Sequence, residues 1–424
     1  MDNRTLLRNE NNIINIVLKC TVILAASIII GTILLCLVYL IPTAPIKNNL
    51  TRDIDELAYE GQYPALKGIF ANTLDNFTDS LMLGTASCDR EGSVIDKAMN
   101  VYHPVGDGDS VQNLIQYINS DKSTDYSAYT RYWQGYLVFL KPILCFTNYL
   151  IWRSINHVLQ IILMIVTAVI LIRKCSWKCV IPFATAVAFI RPNIIYYSLQ
   201  YSTMFYISLL SVAVLALFYD KLKKNGLIYY FFIVGIITNY FDFLTYPALG
   251  LGFCLVLCAM IDSSEKGLKA VFNTVKYSFF WTAGYGGMWA GKWLISSILL
   301  HRNVFIDAMN SIGERASSYA SGEEISRIYT VYFNIRTFFE GLYYFVPIII
   351  LIAVVVIGIW QWKKMYMSWM GYLLNLFIIA LIPIVWYLVL SNHSFMHLYF
   401  TDRELAISVA AITAAAWRID RKKT

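Results

Sequence analysis

Residues 16–41 read IVLKCTVILAASIIIGTILLCLVYLI, 26 residues whose one formal charge, Lys19, stands near the start. About 20 apolar residues in a helix cross the hydrocarbon of a bilayer, so this run is long enough to do so alone. It is too long for the apolar part of a secretory leader and lacks a small-residue cleavage site, so it reads as a retained span. Nine further apolar runs follow, at about 154–172, 179–197, 202–219, 227–241, 246–261, 273–299, 342–361, 368–391 and 403–417. Across 424 residues, 58% are hydrophobic, 15% aromatic and 14% charged, where a soluble chain has about a quarter charged. Mean hydropathy is +0.55. These values exclude a soluble enzyme with a single anchor. The expected fold is an all-α polytopic membrane protein with about ten transmembrane helices and a large, helical first external loop.

The net charge of +7 matters less than where the charges fall. Arg173, Lys174 and Lys178; Lys221, Lys223 and Lys224; Lys266, Lys269 and Lys276; Lys363 and Lys364; and the tail Arg418, Arg421, Lys422 and Lys423 all fall on one side of the span pattern. Short loops rich in Lys and Arg stay in the cytoplasm. With Arg4, Arg8 and Lys19 at the start, both termini are expected there, in a multi-pass protein of the cell membrane. The chain then divides into a start and first span (1–41), an external loop (42–153), spans two to seven (154–299), a second external loop (300–341), and spans eight to ten with a basic tail (342–424).

Thirteen of the 27 acidic residues, from Asp53 to Asp125 and including Asp121, lie in the first loop. Apolar spacing predicts helices over 57–83 and 111–118 lying along the membrane surface, with Tyr132, Trp133 and Tyr136 as an interfacial belt. The second loop sets Arg302, Arg315, Arg327 and Arg336 against Glu314, Glu323, Glu324 and Glu340, and reads as a lid of mixed charge that Gly313 and Gly322 let move. Six of the eight cysteines fall in or beside apolar runs as small hydrophobes, which leaves Cys88 and Cys145 as the pair placed for a bridge. No GxxxxGK[ST] or GxGxxG motif occurs, so nucleotide hydrolysis is not expected.

Charged groups at the ends of spans are costly unless they line a cavity or perform a task, and several qualify. Asp75 and Asp79 are four apart and share a face if that stretch is helical; paired carboxylates tune each other as a base or a metal seat. Asp55 and Glu56 are the rival pair. Against the functional role stands a plain one, a solvated helix face or a cap. His393 and His397, followed by Arg403, place two imidazoles and a planar guanidinium at one span junction, suited to an anionic phosphate or a metal, or merely to capping a helix. Lys141, Arg153, Arg191 and Lys292 fall at or near external ends as further phosphate candidates or as snorkelling cations. Asp242, in a very short turn, is a helix cap or part of the same cavity.

This arrangement resembles the GT-C class of membrane glycosyltransferases: many spans, a large first external loop and acidic residues within it. By position Asp55 and Glu56 look like the Asp-Glu dyad of the mannosyltransferases, and Asp75 and Asp79 like a spaced variant; the soluble C-terminal domain of many members has no counterpart here. The resemblance implies transfer of a sugar from a polyprenyl-phosphate donor to a hydroxyl of a cell-surface glycan, a teichoic-acid-like polymer, a lipid or a protein, on the external face. A loop carboxylate would be the base, a divalent metal an optional partner, and basic residues at outer helix ends the holders of the phosphate. A transporter or flippase of lipid-linked sugars, or a surface-polysaccharide polymerase, is the alternative.

Overall fold

The computed structural model describes residues 3–120, 125–223, 225–263, 268–320, 322–340, 345–362 and 370–417. Asp121, Lys224, Lys266, Lys363, Lys364, Arg418, Arg421, Lys422 and Lys423 lie outside the described residues. Within the described residues each apolar run falls on helix, continuous or broken. Among the described residues, four helices are long and apolar enough to cross a membrane: Ile13–Val38, Tyr149–Lys174, Leu199–Leu222 and Met370–Val389. The last is broken between Met370–Ala380 and Ile382–Val389, where Pro383 sits near the start of the second piece. Trp177–Phe189, Gly226–Phe241 and Ala248–Ile261 are apolar but shorter. The chain is an all-α membrane protein in its bulk.

Lipid explains which faces are bare. Along the first helix Ile14, Val22, Ile29 and Ile33 are exposed, while Leu35 and Val38 are buried; hydrocarbon solvates such side chains as well as a protein interior does. At the other extreme, every residue of Ala248–Ile261 is buried. A helix apolar on all sides belongs at the centre of a bundle, and this one is ringed by Leu199–Leu222, Gly226–Phe241, Leu268–Leu300, Met370–Ala380 and Ala406–Ala416. Gly226–Phe241 and Leu268–Leu300 lie in backbone contact: a Cβ on Gly235 would strike the carbonyl of Trp281, and one on Gly284 the carbonyl of Phe232.

The segment between the first two long helices differs from the expectation in three ways. The helix expected over 57–83 is broken: Ile54–Glu60 ends at Gly61 (φ +69°), two short turns follow, and Asn76–Ser87 starts afresh with Asp75 as its cap. Strands Tyr102–Val105 and Asp125–Ala128 pair antiparallel, Tyr102 opposite Ala128, where only helices were anticipated. Tyr132, Trp133 and Tyr136 are not a surface belt. They are 3%, 0% and 5% exposed, and the Trp133 indole donates to the Met288 carbonyl at 2.7 Å, docking this segment on the Leu268 helix. The helix over 111–118 is present as Ser110–Asn119, closed by a capping box from Asp109 and Gln112. All eight cysteines are free, Cys88 and Cys145 included.

The second long connection consists of Phe305–Ala316, a short hairpin pairing Tyr319–Ala320 with Glu323–Glu324, and Arg327–Glu340. Gly313 is inside a helix, so of the two expected hinge glycines Gly322 alone occupies a turn, with φ +86°. The hairpin is tied down, since Asn392 N–H donates to the Ser317 carbonyl at 3.1 Å and Arg327 to the Leu388 carbonyl at 2.6 Å.

Candidate functional site

The first N–H groups of a helix have no partner within it and attract negative charge. Here three such ends receive a carboxylate from far away in the chain. Asp53 accepts from the N–H groups of Tyr149 (2.7 Å) and Leu150 (3.3 Å). Asp79 accepts from those of Leu199 (2.9 Å) and Gln200 (3.3 Å), and also from the hydroxyls of Ser198 (3.0 Å) and Tyr149 (2.5 Å). Glu404 accepts from Ala248 N–H at 2.9 Å. Burial raises the Asp53 and Asp79 carboxyls, and the hydrogen bonds they accept pull them back down.

Arg153 extends the Asp79 network. Its guanidinium grips Glu60 with two prongs, at 2.7 and 2.9 Å, and also donates to the Tyr197 carbonyl (2.8 Å), Asn76 Oδ1 (3.2 Å) and the Tyr149 hydroxyl (3.1 Å). All three of its nitrogens are engaged. Asp55 and Glu56 stand on the exposed side of the same short helix that carries Glu60.

Asp75 has a different environment from Asp79. It is 2% exposed and accepts from Thr78 twice, through the backbone N–H (3.0 Å) and the hydroxyl (2.8 Å). Burial pushes its carboxyl up to about 7, against the pull of the Thr78 hydrogen bonds. Because the helix begins between Asp75 and Asp79, they do not share a helical face: one is its cap, the other reaches back to another helix. Tyr63, Tyr201 and Tyr399 surround Asp75, close enough for its charge to act on each of them. Tyr201 is the link to the arginines. Its hydroxyl donates to the Thr73 carbonyl at 2.9 Å, and the Arg403 guanidinium lies 4.2 Å from its ring centroid.

Arg191 and Arg403 are both fully buried. Arg403 donates to the carbonyls of Tyr399 (2.8 Å) and Ile190 (3.2 Å), and Arg191, held with φ +59° just before Pro192, pairs with Asp402 at 2.7 Å. Among the described residues, Nε and Nη1 of Arg191 and Nη2 of Arg403 have no hydrogen-bond partner. Buried polar groups are rarely left so, and N–H groups of this kind are donors that an anion can accept from. His393 and His397 do come together, ring centroids 4.9 Å apart, and His393 Nε2 is 2.7 Å from the Leu244 carbonyl. Burial lowers both, His397 to about 4, with the charge of Arg315 adding to the effect. Both imidazoles are therefore neutral at pH 7, and since His393 spends its one N–H on the Leu244 carbonyl, only His397 keeps one to offer an anion. Asp242 is a cap: it accepts from Thr245 N–H at 3.0 Å, and burial pushes it up to about 6.

Two cations of the sequence reading lie elsewhere. Lys141 sits 4.7 Å from the Tyr39 ring centroid, and Lys292 donates to the carbonyls of Met99 (3.1 Å) and Ala98 (3.3 Å), pinning that segment to the Leu268 helix. The sequence reading passed over Tyr149 and Tyr201, which nothing in an aromatic-rich chain distinguishes. Among the described residues no group of three or more His, Cys, Asp or Glu is gathered to hold a metal ion. No family model matches the chain, and neither a curated protein nor a solved structure is significantly similar to it.

Proposed function

We propose that the chain is a membrane glycosyltransferase that moves a sugar from a polyprenyl-phosphate donor to a hydroxyl acceptor, with its site on the external face. One observation carries this reading: Tyr201 stands between a buried carboxylate, Asp75, and two buried guanidiniums, Arg403 and Arg191, whose free N–H groups suit a phosphate. In the proposed reaction Asp75 takes the proton of the acceptor hydroxyl as its oxygen bonds to the anomeric carbon. The bond from that carbon to the phosphate oxygen breaks, and the arginines stabilise the charge left on the departing lipid phosphate. Asp79, with four donors already on it, acts as a structural anchor in this scheme, and Asp55 and Glu56 face outward from it.

A base must be deprotonated, so turnover is expected to rise as pH passes through about 7, where Asp75 ionises. Stability runs the other way. Between the ordinary value of 3.8 and about 7 the folded state keeps a proton that the unfolded chain has lost, so Asp75 contributes less stability as pH rises across that window. Asp75→Asn is expected to cut transfer at least about 100-fold with little change in abundance. The measurement is label transfer from polyprenyl-phosphate glucose, mannose or N-acetylglucosamine into lipid, glycan or protein by membranes containing the chain. Full transfer by the Asn variant would remove Asp75 from the mechanism.

The topology proposed with this function has ten spans, both termini in the cytoplasm and residues 42–153 outside. Asp107 and Asn225 are both exposed and sit in connections predicted to be on opposite sides. Above the background of the parent chain, Asp107→Cys should react with an impermeant maleimide in intact cells and Asn225→Cys should not. The reverse pattern would invert the topology and place the site in the cytoplasm.

A further inference from the structure

Beside the Asp79 network, on the first turns of the Tyr149 helix, is a cleft of about 330 Å³ lined by Glu56, Glu60, Arg153, Ser154, His157 and Tyr197, among others. Its size is that of a small-molecule site. One wall is a stack of three rings: His157 lies on Tyr196 at 4.0 Å between centroids and 11° between planes, and Tyr196 on Tyr197 at 4.2 Å and 29°. All three rings are half-buried, so the stack is both fixed and reachable. The lining also includes the two glutamates. Ile151, Ile155 and Val158 of the same helix are exposed apolar residues, so the cleft borders the surface that faces lipid.

The chemistry of this wall selects its ligand. Arg153 spends every nitrogen on Glu60, Asn76, Tyr149 and Tyr197, so no free cation remains for a phosphate or carboxylate, and Glu56 and Glu60 repel one. What is offered is a set of hydroxyls, an imidazole and carboxylate acceptors around rigid aromatic surface. A neutral ring with many hydroxyl donors and an apolar face satisfies all of these together. We propose that this cleft is a saccharide-binding site, separate from the Asp75 and Arg403 centre, that holds a sugar at the membrane surface. The claim concerns binding and does not depend on the transfer chemistry proposed above.

The test uses the full chain in nanodiscs free of glycoside detergent, with saturation-transfer NMR as the readout. The probes are octyl β-glucoside below its micelle concentration, octylphosphocholine, octanol and methyl β-glucoside. Octyl β-glucoside should bind at least about tenfold more tightly than octylphosphocholine or octanol, the scale of one good aromatic contact. His157→Ala should weaken it by a similar factor. Ser154→Trp, which fills the cleft from an exposed position, should do the same in a chain that melts like the parent. Arg403→Ala should leave sugar binding unchanged, so loss of the transfer reading and loss of this one are distinguishable. Methyl β-glucoside binding as tightly as the octyl glycoside identifies a free sugar as the source, and weaker binding a lipid-borne one; either supports the site. Preference for octylphosphocholine would instead identify an ammonium cage. Equal binding of octanol would identify a groove for acyl chains, and full binding by both variants would place the sugar elsewhere. Any of these three results overturns the proposal.

Discussion

Asp79→Ala is expected to destabilise the protein more than any other single carboxylate substitution, by about 4 kcal/mol, because it leaves buried donors without an acceptor. The donors are two backbone N–H groups at the start of the Leu199 helix and the hydroxyls of Ser198 and Tyr149. Losing the carboxylate also removes a negative charge from the neighbourhood of Arg153 and cuts one of the ties between the segment that carries Asp75 and two long helices. Asp79→Asn keeps the volume and one acceptor oxygen, so about half the loss is expected. The measurement is the temperature at which the purified chain aggregates, with abundance in membranes alongside. Asp75→Asn is the control, because its Thr78 partners lie within one turn and at the helix start, where the amide oxygen can still accept. Equal melting of all three variants would show that the Asp79 hydrogen bonds carry no net stability.

The second large effect concerns Arg403. Arg403→Ala is expected to weaken binding of a short-chain polyprenyl phosphate to the purified protein by about 30-fold, the worth of a charge-assisted hydrogen bond in a buried place. Arg403→Lys retains the charge but not the planar fork that reaches the carbonyls of Tyr399 and Ile190 while leaving Nη2 free, so its affinity should fall between the two. Arg191→Leu is a harsher change, since it strands Asp402 as an unpaired buried carboxylate. For that reason affinity must be read on protein that still melts like the parent. Unchanged affinity in both Arg403 variants would make this arginine a purely structural clamp on its two carbonyls.

Some of this was open to inspection of the chain. The long helices are legible because lipid asks little of a span except length and a stretch of high mean hydropathy, and Tyr149–Lys174 and Leu199–Leu222 meet both conditions. The bundle's centre is less so: Ala248–Ile261 is only 14 residues long, and its importance comes from what surrounds it. Aromatic composition misled at Tyr132 to Tyr136, since an interfacial ring and a buried one have the same composition and differ only in where the backbone takes them. The Asp75 and Asp79 pair was visible as a spacing, but the spacing implied a shared face that the helix start at Asn76 abolishes. Arg191 and Asp402, paired although 211 positions apart, show why the arginine centre could not be read locally. Arg191 had a plain explanation as a snorkelling cation, and its meeting with Asp402 depends on tertiary packing.

The three helix ends closed by distant carboxylates also set an order in time. Asp53 and Asp79 precede the ends they close by 96 and 120 positions, so both are already synthesised when the Tyr149 and Leu199 helices emerge from the ribosome. Glu404 follows Ala248 by 156 positions. The enclosed Ala248 helix therefore keeps an open amino end until the chain has grown 156 residues past it, and its closure waits on a later-made segment.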